Sequence, residues 1–202
     1  MLTESEMEII DVFRKDLFGS YTIRELMKRT GRKTYTWTFN TVRKLGKTGI
    51  LRIEAKGKSS LCSINLDSRL AVLYLSLLDE LEASSRKVPH LEELIYDMPV
   101  PFFTLLVGGS YAERKQTKKS DLDICVLVDD AADKKRISNM LENKLMVPRL
   151  HPFVFRKSEF LEMLLNKEAN YGKLLFRKHM IAFGAENYYL IIREAIDHGF
   201  RG

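Results

Sequence analysis

Only two cysteines occur in 202 residues, Cys62 and Cys125, and they lie far apart in strand-like stretches. That excludes a disulfide framework or a thiolate metal cluster and predicts reduced core thiols in a cytoplasmic protein. No uninterrupted apolar run is long enough for a membrane span. The amino end, MLTESEMEII, is acidic where a secretory signal would be basic and then apolar. Repeats and low-complexity tracts are absent as well. Acid is scarce in one region above all: across residues 21–58, eleven Lys and Arg face only Glu25 and Glu54. The net charge of +6 is therefore concentrated, and the concentration predicts a surface for a polyanion. With 45% hydrophobic and 30% charged residues, the chain suits a globular protein of one or two domains.

What is present begins with helical spacing. Met7, Ile10, Phe13 and Leu17 predict a first helix from Glu4 to Lys15. Residues 22–30 predict a second, with Ile23, Leu26 and Met27 inward and Gly31 as its stop. Thr34 is the expected cap of a third, with Tyr35, Phe39, Val42 and Leu45 inward and its end at Gly46. Residues 50–56 and 61–66 read as strands of a hairpin turning at Gly57-Lys58-Ser59. Three helices and a basic hairpin resemble a winged-helix DNA-binding domain, covering residues 1–67. The resemblance implies that the third helix enters the major groove of double-stranded DNA while the hairpin touches the backbone. Lys33, Thr36, Trp37, Asn40, Thr41, Arg43 and Lys44 form its expected outward face. Of these, Lys33, Thr36, Asn40, Arg43 and Lys44, with Lys58 of the hairpin, are the candidate DNA contacts. A protein-docking role for the same domain stays open.

Residues 68–85 predict a long helix with Leu70, Leu73, Tyr74, Leu77, Leu78 and Leu81 in an apolar stripe. Val72 and Leu75 widen the stripe beyond one face, so the helix suits either a connection between domains or a homodimer seam. Ser84-Ser85-Arg86-Lys87-Val88-Pro89 reads as a linker, and Leu91–Tyr96 as a short helix, giving a connecting region over residues 68–98. Residues 99–202 then alternate. Strands are expected at 102–107, Leu122–Val128 and 149–155, the last at an edge because of Pro152. Helices are expected near 110–118, at 133–145 with Ile137, Met140, Leu141 and Leu145 inward, from Ser158 to Leu165, around Leu174 and Leu175, and at 185–198. Met180–Phe183 is a further short apolar piece. The alternation predicts a small mixed sheet flanked by helices, an α+β fold.

The chemistry concentrates in TLLVGGSYAERKQTKKSDLDICVLVDD, residues 104–130. A buried strand ends at Gly108-Gly109-Ser110, where glycine lets the backbone turn and approach a ligand closely. Ser110 is a favoured cap, so free N–H groups of a helix start would face that ligand. Asp121 and Asp123 open the next strand with a spacing of two, which puts both on one face. Adjacent carboxylates repel unless a cation lies between them. This arrangement resembles the nucleotidyltransferase superfamily related to DNA polymerase β, whose motif is strand, Gly-Ser, about ten residues, then Asp-apolar-Asp/Glu-apolar. Gly109-Ser110 and Asp121-Leu122-Asp123-Ile124 match it residue by residue.

That resemblance implies a catalytic and metal-binding role for Asp121 and Asp123, nucleotide binding at Gly109 and Ser110, up to two Mg²⁺ ions, and an NTP as substrate. Lys115, Lys118 and Lys119 would neutralise phosphate charge. Two departures stand out. The family's third carboxylate belongs on the next strand, and residues 149–155 contain none; His151 is a poor ligand for Mg²⁺, and Glu159 and Glu162 lie on the helix beyond. After Gly-Ser, the Ala-Arg-Gly of many members is replaced by Ala112-Glu113-Arg114. Two functions therefore remain in view: Mg²⁺-dependent transfer of a nucleoside monophosphate from NTP to a hydroxyl acceptor, coupled to DNA binding, or DNA-binding transcriptional regulation with a catalytically weak or inactive nucleotidyltransferase-like domain.

Overall fold

The computed structural model describes residues 2–57 and 59–202. Among them are ten helices and two small sheets, one of three strands and one of four, a mixed α+β fold. The chain forms two compact units, Met1–Leu78 and Asp79–Gly202.

In the first unit, α1 (Glu4–Lys15) starts at a reciprocal cap: the Glu6 N–H donates to Thr3 Oγ1 and the Thr3 N–H donates to Glu6. It buries Ile9, Ile10 and Phe13 completely, each worth roughly 1.5–3 kcal/mol relative to exposure. β1 (Tyr21–Thr22) leads into α2 (Ile23–Arg29), capped in the same way by Thr22 and Glu25. The two-residue β1 carries no pattern of its own. It exists because it pairs with β3, Tyr21 opposite Cys62. α3 (Tyr35–Lys47) is followed by β2 (Leu51–Lys56) and β3 (Ser59–Ile64), an antiparallel pair running from Leu51↔Ile64 to Lys56↔Ser59.

The buried face of α3 differs from the expected one. Thr38 and Thr41 are buried with Val42 and Leu45, while Tyr35 is 47% exposed and Phe39 is half-buried. Thr41 therefore leaves the outward set. Threonine is small enough to fit between helices, and Thr38 satisfies its hydroxyl by donating to the Thr34 carbonyl. The displaced rings instead stack on each other, with centroids 6.2 Å apart.

α4 (Arg69–Ser85) also turns differently. Ala71, Val72, Leu75, Asp79 and Ala83 are buried, whereas Leu70, Leu73, Leu77 and Leu81 are 37–57% exposed. Apolar residues surround most of this helix, so leucine spacing alone did not single out its inner face. The expected linker is tethered. Arg86 donates to Glu82 and to the carbonyls of Tyr111 and Ala112.

The second unit continues with α5 (Leu91–Tyr96), β4 (Thr104–Val107), α6 (Gly109–Ala112), β5 (Leu122–Val128) and α7 (Ala131–Glu142). It ends with β6 (Leu150–Arg156), α8 (Lys157–Leu165), α9 (Tyr171–Arg177), β7 (Met180–Phe183) and α10 (Ala185–Asp197). The sheet order is β6-β5-β4-β7, with β5 and β6 parallel and the other pairs antiparallel. β6 is an edge strand, where Pro152, lacking an N–H, is tolerated. β7 is the other edge.

On one sheet face Leu105, Val107, Ile124 and Val126 pack with Leu94, Ile137 and Leu141. The alternate residues Leu106, Cys125 and Leu127 are equally buried on the side that meets α8 and α10. α6 is a single turn capped by Gly108, not the nine-residue helix expected from Ser110, because Arg114 adopts φ +58° and the chain then folds into a Thr117–Ser120 turn. α7 stops at Glu142, which leaves Leu145 fully exposed rather than inward.

Candidate functional site

The site begins where β4 ends. Gly108 N–H donates to the Asp123 carbonyl at 2.9 Å, tying the turn to β5. Gly109 then takes φ +56°, a left-handed conformation that glycine adopts without steric cost. A Cβ at this position would lie 2.0 Å from Asp123 Oδ2. The Asp123 carboxylate therefore rests directly on the bare backbone of Gly109. A Cβ at Gly108 would meet Leu175 at 3.4 Å and the Tyr171 hydroxyl at 3.8 Å.

Asp123 is the second residue of β5 and is partly exposed. In the parallel register it stands opposite His151 on β6, and His151 Nδ1 lies 2.9 Å from Asp123 Oδ1. The imidazole edge meets the ring of Phe153, with centroids 4.7 Å apart, and Phe153 packs at 4.3 Å on Tyr171 of α9. Burial, reinforced by Cys125 and Asp123, pushes the Tyr171 hydroxyl well above its ordinary range, so it remains a phenol at neutral pH. These groups line a cavity of about 300 Å³, together with Glu113 and Lys178. That volume is at the small end of ligand pockets.

The other expected residues fall as follows. Asp121 is exposed one residue ahead of β5 and does not line the cavity; Ser110, half-exposed in α6, does not either. Because α6 is one turn long, it offers no substantial helix dipole. Lys115, Lys118 and Lys119 are exposed, and Lys115 contacts Glu113 at 3.5 Å. Glu159 is committed elsewhere: it accepts from Lys134 and from the Arg156 N–H, both at 2.8 Å. The lysine bond is the main reason its carboxyl is pushed down to about 2. Glu159 and Glu162 line a separate depression beside Phe155, so neither replaces the missing acid. Tyr171 and Lys178 went unnoticed in the sequence, since nothing in their spacing ties them to Asp123, 48 and 55 residues earlier.

Among the described residues no group of three or more His, Cys, Asp and Glu is placed to hold an ion. Asp123 alone puts a hard carboxylate on the cavity wall, which suits one Mg²⁺ completed by phosphate and water; Asp121 stands outside that lining. One carboxylate there does not fit two ions. The neighbour that faces Asp123 is an imidazole, which supplies no hard oxygen.

In the first unit, Lys33, Thr36, Asn40, Arg43 and Lys44 are all exposed, and Thr36, Asn40, Arg43 and Lys44 recur at helical spacing on one face of α3. Two basic groups of this region are already paired. Lys44 Nζ contacts Glu6 at 2.8 Å, and Arg32 contacts Glu8 at 2.6 Å while lying over the Trp37 ring at 4.7 Å. Arg43 lies over Phe39 at 5.7 Å. Lys58 is outside the described residues. Both cysteines are buried and free, and burial raises both thiols, Cys62 to about 11. Among the described residues no helix is long and apolar enough to cross a membrane.

No curated protein and no solved structure matches the chain. Residues 103–175, from the start of the four-stranded sheet to α9, match the family described as nucleotidyltransferase domain, with which the mixed α+β fold is consistent; over that segment the chain is similar to a domain that transfers nucleotidyl groups.

Proposed function

We propose that residues 99–202 bind an NTP with Mg²⁺ and transfer its nucleoside monophosphate to a hydroxyl acceptor, and that residues 1–67 are a winged helix that brings this activity to double-stranded DNA. Residues 68–98 connect the two, and the buried free thiols suit a reducing cytoplasm. The observation that carries the proposal is the Asp123 carboxylate resting on Gly109 at the wall of a cavity. A carboxylate held against a glycine turn at a cavity wall puts hard oxygen where a metal–phosphate pair needs it.

Each residue then has a part. Gly108 and Gly109 let phosphate approach the main chain, Ser110 follows them in the same turn, and Asp121 and Asp123 hold one ion. Mg²⁺ supplies neutralisation of phosphate charge when bound. His151 orients the Asp123 carboxylate through its 2.9 Å contact. The same contact favours a second reading, a DNA-binding regulator whose nucleotide domain turns over slowly, because His151 stands where a further acid would help. On α3, Thr36, Asn40, Arg43 and Lys44 are the proposed DNA contacts, with Lys33 before the helix and Lys58 in the hairpin.

Titration of MgATP into the intact protein tests the core of this. Asp121→Asn with Asp123→Asn should abolish Mg²⁺-dependent binding. Unchanged affinity in that variant would refute the site. Pyrophosphate release by the unaltered protein separates enzyme from regulator.

A further inference from the structure

The cavity beside Asp123 is unfavourable for an anion as it stands. Asp123 and Glu113 place two carboxylates on it, and among the described residues lining it Lys178 alone carries a fixed positive charge. That charge is already spoken for. Lys178 Nζ donates to Glu113 Oε1 at 2.8 Å, and Lys115 approaches the same oxygen at 3.5 Å. Glu113 closes α6, four residues after Gly109, and Lys178 closes α9. The ion pair thus joins the glycine turn to the helix that carries Tyr171. Its side chains are 30% and 53% exposed, so water screens the pair and it opens at little cost.

We propose that Lys178 is a polyphosphate-binding residue of this cavity, which takes the triphosphate tail of the nucleotide, and that Glu113 holds it until such a ligand arrives. This rests on the nucleotide entering the cavity beside Asp123. The exchange favours a ligand with several negative charges: it must outcompete a carboxylate for the lysine and tolerate the carboxylate left behind. A triphosphate does so through charge-assisted hydrogen bonds, whereas a monophosphate gains less. Glu113, an acid beside the glycine turn, thereby becomes a filter for charge.

The test is calorimetric titration of inorganic tripolyphosphate and of MgATP into the full chain and three variants: Glu113→Gln, Lys178→Met and the double variant, each first checked by circular dichroism. Lys178→Met should weaken tripolyphosphate binding about tenfold, the loss of one charge-assisted bond. Glu113→Gln should tighten it several-fold, and most of that gain should be lost in the Lys178→Met background, where only relief of repulsion is left. An equal gain in that background would overturn the proposal, since Glu113 would then act by general repulsion. MgATP affinity indifferent to Lys178 would overturn it too while leaving nucleotide binding intact. Tripolyphosphate binding that depends on Lys178 without any binding of MgATP would support it and remove the nucleotide instead.

Discussion

Replacing Gly109 by alanine probes the site through its tightest contact. The new Cβ would stand 2.0 Å from Asp123 Oδ2 and 3.0 Å from its Cγ, where real Cβ contacts essentially never fall below 3.0 Å. The carboxylate must therefore retreat by about 1 Å, which forfeits a charged contact to whatever it holds, worth about 1.5–3 kcal/mol. Moving it also strains the 2.9 Å contact with His151. A second cost comes from φ +56°, which for a non-glycine residue is about 1–2 kcal/mol. Gly31→Ala is the control: it has φ +67° and nothing within 4 Å, so it carries the strain without the clash. Urea unfolding should show a loss of about 1–2 kcal/mol for Gly31→Ala and a larger one for Gly109→Ala. Calorimetry should show MgATP affinity lowered roughly 10- to 10²-fold for Gly109→Ala and unchanged for Gly31→Ala. Wild-type affinity in Gly109→Ala would refute the reasoning, because the carboxylate would then be free to move without consequence.

Other tests address separate groups. His151→Asp places a third carboxylate beside Asp123 in the β5–β6 register; Mn²⁺ titration monitored by electron spin resonance, with a non-hydrolysable nucleotide, should rise from one bound ion to two, and a constant count would show that the strand position is not a ligand position. Glu6→Gln releases Lys44 from its 2.8 Å ion pair; duplex DNA affinity should rise and the log–log salt slope steepen by about 0.9, one added phosphate contact. Unaltered affinity and slope would remove Lys44 from the interface. Glu159, with a folded pKa near 2 against an ordinary 4.5, binds protons less readily when folded. Its stabilisation is therefore fully present above about pH 4.5 and lost as pH falls towards 2, so Glu159→Gln should flatten the acid limb of the stability–pH curve there. Parallel curves for the two proteins would contradict this.

Much of the architecture was legible before any tertiary structure. α1, α5 and β5 have the limits expected from apolar spacing and flanking residues, because these are local signals carried by a few neighbouring side chains. Gly109 and Asp123 could be picked out from their spacing. That the carboxylate of one lies on the backbone of the other is a fact of strand pairing, seen only when β4 and β5 are side by side. Faces were harder than elements. α3 and α4 carry more apolar residues than one stripe accommodates, so the partner, not the period, chose Thr38 and Thr41 over Tyr35, and Val72 and Leu75 over Leu73.

β1 and β7 are too short to carry a periodic signal and owe their strand character to neighbours 40 or more positions away in the chain. α6 shrank to one turn because its continuation found hydrogen bonds in a turn instead. The sequence by itself determined the basic excess across residues 21–58, the limits of α1, α5 and β5, and the Gly-Gly…Asp-x-Asp spacing. Only the tertiary structure decided that His151 faces Asp123, that Tyr171 and Lys178 join the cavity, and that Glu159 does not. Those outcomes depend on parallel register and helix return, contacts between residues 18 to 65 positions apart, for which local propensity carries no information.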